Sequence, residues 1–119
     1  MSKVVQAVNV MLANPDNITK VRPGSNSDEV FFVYGGKHKW SISSRRDQGE
    51  YWLYYYPGEI DIEKLAAIED WDMYTNYVAY GTKELGTAEA KQSFAELYST
   101  VLERRYNMNK VLDDIIKSK

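Results

Sequence analysis

Val4, Val5, Val8, Met11 and Leu12 recur near helical spacing and stop at Asn14-Pro15, where the residue before proline is pushed out of helical backbone. The pattern predicts a helix over 2–13. Ile18 to Arg22 fits a short strand or a loop, and Pro23-Gly24-Ser25-Asn26-Ser27 is a turn-forming cluster. Residues 29–35 then switch to strict alternation, with Val30, Phe32 and Tyr34 on one side and Phe31 and Val33 on the other. Both sides are apolar, which predicts an interior strand. Gly35-Gly36 supplies the positive φ angles of a tight hairpin. The strand that follows, Lys39 to Ser44, sends Trp40 and Ile42 one way and Lys39, Ser41 and Ser43 the other, so it reads as half-exposed. Arg45 to Gly49 makes a second turn, and Glu50 to Tyr56 is a third strand, rich in aromatic residues and ended by Pro57-Gly58.

Beyond that hairpin, Asp61 is placed to N-cap a short helix carrying Ile62, Leu65, Ala66 and Ile68. Met73 to Tyr80 fits both a helical stripe and a strand; its tyrosine, threonine and valine content and the following Gly81 favour strand. Thr87 opens the most regular element, in which Ala90, Phe94, Leu97, Tyr98, Val101 and Leu102 form one stripe, predicting a helix over about 87–105. After a break near Asn107, Met108, Val111, Leu112, Ile115 and Ile116 repeat the pattern. The assembly implied is α+β: an antiparallel β-meander of three to five strands packed with N-terminal and C-terminal helices, in one domain over residues 1–119. Tyr54 and Tyr56 fall on one face of their strand and Tyr51 and Tyr55 on the other, so a single helix layer cannot cover both.

At 119 residues the chain is long enough for a single core without disulfide or metal staples. It has no cysteine, which removes thiol nucleophiles, zinc–thiolate sites and iron–sulfur clusters; a cytoplasmic protein is the simplest expectation. The run from Val4 to Ala13, interrupted by Gln6 and Asn9, is too short to span a membrane. The net charge of −2 hides segregation: residues 1–46 sum to +4, 47–82 to −7 and 83–119 to +1. The acidic middle also holds nine of the sixteen aromatic residues.

Candidate chemistry is sparse. His38 is the only histidine, so neither a Ser-His-Asp relay nor a His-rich metal site can be built around any other residue. Gly35-Gly36 lacks the spacing of a phosphate loop and leads into a strand. Glu89-Ala90-Lys91 has the acid-x-lysine spacing used by metal-dependent nucleases, but it sits in the first turn of a predicted helix. No cofactor is expected.

The leading expectation is a small non-enzymatic interaction protein that binds a protein partner, or a second copy of itself, through the acidic, tyrosine-rich surface bearing Tyr54, Tyr56, Asp61 and Glu63. One alternative is nucleic-acid binding through a basic hairpin, with Lys37, His38, Lys39, Arg45 and Arg46 around Trp40. Another is a metal-assisted hydrolase using the central carboxylates Asp61, Glu63, Glu69, Asp70 and Asp72.

Overall fold

The computed structural model describes residues 2–26, 28–45, 49–69 and 76–118. Helix α1 (Lys3–Ala13) begins at Ser2, whose hydroxyl accepts from the Val5 amide at 3.3 Å. It ends at Asn14, and a 3₁₀ turn (Pro15–Asn17) leads into strand β1 (Ile18–Pro23). Strands β2 (Glu29–Tyr34), β3 (His38–Arg45), β4 (Glu50–Tyr56) and β5 (Val78–Gly81) follow β1 in the order of the chain, every neighbouring pair antiparallel. This is the α+β meander, at the five-strand end of the expected range. Gly35 and Gly36 take φ of 65° and 77° at the β2–β3 turn, the left-handed backbone the Gly-Gly pair implied.

The two faces of the sheet are covered unequally. On the first, Val30, Phe32, Ile42 and Leu53 pack with Val8 and Met11 of α1 and with Phe94, Leu97, Tyr98 and Val101 of α4 (Ala88–Tyr106). Thr87 caps α4, accepting from the Ala90 amide at 3.1 Å. The Asn9 interruption in the apolar run of α1 meets Ser93 of α4, whose hydroxyl donates to Asn9 Oδ1 at 2.8 Å. Arg104 ties the far end of α4 to β1, donating to the Ile18 carbonyl and to Asp16.

On the second face, the five-residue helix α2 (Ile62–Ala66) seats Ile62, Leu65 and Ala66 on Phe31, Val33 and Tyr56. It packs on β1 and β2 and is too short to reach across the sheet. β3 is nonetheless more enclosed than its alternation suggested, because Glu29 and Tyr56 close over Ser41. Ser41, on the supposedly exposed side, has no accessible surface.

Two further differences concern the C-terminal half. The strand expected over Met73–Tyr80 is observed only as Val78–Gly81; positions 73–75 lie outside the described residues. Gly81 belongs to the strand rather than ending it, because the Trp52 indole lies across it, 2.8 Å from where a Cβ would stand. A short helix α3 (Thr82–Leu85) follows, and the buried Thr82 hydroxyl accepts from the Tyr51 amide at 3.0 Å, fastening this corner to β4. The chain reverses at Asn107, φ 52°, into α5 (Met108–Ile116). The apolar stripe predicted there exists but covers nothing: Val111, Leu112, Ile115 and Ile116 are all exposed.

The contrast between α4 and α5 gives a direct expectation. Phe94→Ala, at a site with no accessible surface, should cost about 3–5 kcal/mol in urea denaturation. Truncation after Tyr106 removes no buried residue of α5 and should leave the urea midpoint nearly unchanged.

Candidate functional site

On the second sheet face, alternation aligns Glu29, Phe31 and Val33 of β2 with Ser41 and Ser43 of β3 and with Trp52, Tyr54 and Tyr56 of β4. Towards β1 this surface is sealed by α2. Towards β5 its rings remain accessible: Trp52 stacks on Tyr54 with centroids 6.3 Å apart, and Tyr54 meets Tyr77 at 5.6 Å and 76°. Tyr77 is 42% exposed and Val78 is 45% exposed. Between Tyr77 and β2 lies a cleft of about 170 Å³ lined by Asn26, Glu29, Tyr54, Tyr56 and Tyr77.

Glu29 is the unexpected member. Only 8% of it is exposed, and Ser41 donates to its Oε2 at 2.9 Å. With the Ser41 proton so used, the Tyr56 hydroxyl, 2.8 Å from Ser41 Oγ, donates to that oxygen. No other hydrogen bond or ion pair joins the Glu29 carboxylate to the described residues. Burial holds its carboxyl above the ordinary 4.5, opposed by the weaker effect of the Ser41 bond. The Tyr54 hydroxyl is likewise raised above 10.0, first by burial and then by the charges of Glu29 and Tyr77, against a lowering influence of Arg45.

The partner-binding set expected from sequence is divided by the fold. Tyr54 lines the cleft, half-buried, whereas Tyr56 is 2% exposed and stacked on Phe31 at 5.7 Å, so its ring is part of the second core. Asp61 occupies the N-cap position of α2 without a side-chain cap bond, and Glu63 pairs with Arg22 at 3.4 Å. Both are exposed and border a separate depression that also contains Lys20, Lys37 and Lys39. Because α2 sits over β1 and β2, these carboxylates lie some three strand spacings, roughly 14 Å, from the Tyr54 side of the sheet. Their charge is met by basic neighbours rather than presented beside the tyrosines.

The basic hairpin is also dispersed. Lys39 Nζ donates to the carbonyls of Gly58 and Ile60, the latter at 2.8 Å, and so anchors the loop leading to α2. His38 Nδ1 lies 3.5 Å from the Tyr55 hydroxyl, and Trp40 packs against the Tyr55 ring at 4.8 Å beside the helix-side core. Arg45 is at the opposite end of β3, roughly 25 Å from Lys37, and Arg46 lies outside the described residues. Among the described residues no three acidic or histidine side chains converge to hold a metal ion; Asp70 and Asp72 of the carboxylate set lie outside them. No helix of the described residues is long and apolar enough to cross a membrane.

Glu29 was missed in the sequence reading, although one signal was present: it shares strand parity with Phe31 and Val33, a carboxylate on an otherwise apolar side. Comparison with protein-family models, curated proteins and solved structures finds no match to this chain. Its site is therefore read from geometry alone.

The raised Glu29 carboxyl has a defined consequence for stability. In the unfolded chain it ionises near 4.5, while the fold retains the proton to higher pH, so folding takes up a proton in that interval. Its contribution to stability therefore falls as pH rises above 4.5; the penalty is absent at lower pH and complete above the folded value. Glu29→Gln keeps an acceptor for Ser41 and should raise the urea midpoint at pH 8, with the gain shrinking towards zero at pH 4. A gain that grows on acidification would show that burial is not what controls this carboxyl.

Proposed function

We propose that this chain is a small, non-enzymatic interaction protein that binds a protein partner or a second copy of itself through the tyrosine-bearing surface next to β5. The observation that carries this reading is the contiguous ring cluster Trp52, Tyr54 and Tyr77 on the part of the sheet that α2 does not reach. Tyrosine and tryptophan offer large contact area with few rotatable bonds to immobilise, which suits them to interface centres. Tyr77, exposed just before the short strand at the sheet edge, carries this surface to the rim of the sheet. We place the protein in the cytoplasm as part of the same proposal; its lack of cysteine is compatible with a reducing compartment.

This reading keeps the tyrosine surface expected from sequence but recentres it. Tyr54 remains, Tyr77 and Trp52 join it, and Tyr56 acts as internal support. The charged member is Glu29 in place of Asp61 and Glu63.

The variant Tyr77→Ser alters an exposed side chain only and should fold normally by circular dichroism. Wild-type protein should retain a partner in affinity capture or sediment as a dimer at micromolar concentration, and the folded variant should do neither. Equal behaviour of the two proteins would reject this surface.

A further inference from the structure

We infer that the cleft between Glu29, Tyr54 and Tyr77 is a receptor for an alkylammonium group, supplied by a lysine side chain of the protein partner. This inference rests on the partner-binding reading above and names the chemistry by which that surface selects what it binds.

Three features of the cleft define its occupant. Among the described residues its one carboxylate is that of Glu29, held by Ser41, and an anion brought beside it would be repelled. Its walls include Tyr54 and Tyr77, set at 76° to each other, so a cation entering the corner meets aromatic surface on two sides. Its volume of about 170 Å³ is small, suited to the end of one side chain rather than to a folded element.

The hydrogen bonding then separates lysine from arginine and from a metal ion. A guanidinium is held best by both oxygens of a carboxylate in a fork, but Glu29 Oε2 would have to share its acceptance with Ser41, whereas Oε1 has no partner among the described residues. An ammonium is a point charge that needs one strong acceptor and can direct its other protons to Asn26 or a phenol oxygen. A hard divalent cation needs about six oxygens, and among the described residues no cluster of three acidic side chains supplies them. Arg45, exposed at the end of β3, is the cationic side chain whose field reaches Tyr54, and it makes no ion pair with the described residues. Among the described residues the buried carboxylate thus has no counter-ion, and a lysine would provide one.

The test is an NMR titration of the whole chain with Nα-acetyl-lysine N-methylamide, following the ring resonances of Tyr54 and Tyr77. A saturable shift is expected at millimolar probe, weakened about tenfold or more in Glu29→Gln, where the acceptor loses its charge. Tyr77→Ser, a change at an exposed position, should weaken it as well. The Nε-acetylated probe, which is neutral, and the arginine counterpart should bind more weakly. Absence of any saturable shift, equal binding of the neutral or arginine probe, or indifference to Glu29→Gln would overturn the inference. Butylammonium binding while the lysine derivative is excluded would also overturn it, since the cleft would then serve a free amine. If the titration fails while the Tyr77→Ser variant still loses its partner, the interaction surface stands and only its lysine selectivity falls.

Discussion

The structure is governed by one constraint: the central strands carry large apolar side chains on both faces, and each face must find cover. Val30, Phe32, Ile42 and Leu53 receive two long helices, while Phe31, Val33 and Tyr56 receive only the single turn and a half of α2. Burial of aromatic surface is the largest favourable contribution available to a domain of this size, so the uneven cover decides where rings are sealed and where they remain reachable. Tyr56 and Phe31 fall under α2, and Trp52, Tyr54 and Tyr77 fall beyond it.

The same constraint gives Glu29 its character. A carboxylate at the start of β2 shares a face with Phe31, so the packing that seals Phe31 also withdraws Glu29 from water. Ser41 and Tyr56 offset part of the cost through a chain of two hydrogen bonds, one of them to the carboxylate itself. A buried charge served by one neutral donor is a poor device for stability. The exposed stripe of α5 is a different kind of surface, apolar and projecting, with no carboxylate among its apolar positions and no cleft.

Much of the fold was legible in the residues because local periodicity and turn chemistry agreed with the final packing. Thr87 does cap its helix, Gly35-Gly36 does turn, and β2 does alternate between two cores. β3 was misjudged as half-exposed because Ser41 looks like a solvent-facing residue until Glu29 and Tyr56 are known to close over it. The site was less legible, because proximity in sequence groups Tyr54 with Asp61 and Glu63. The chain turns between them, and Lys39 holds that turn by two backbone carbonyls.

The sequence by itself determined the element types, the antiparallel meander and the division of tyrosines between two faces, since period and parity are properties of the local chain. Only the tertiary structure decided which carboxylate stands beside the rings. Glu29 reaches Tyr54 across two neighbouring strands, a meeting fixed by register between segments some twenty-five residues apart, whereas Asp61 and Glu63 are carried away over β1 and β2 towards Arg22 and the lysines.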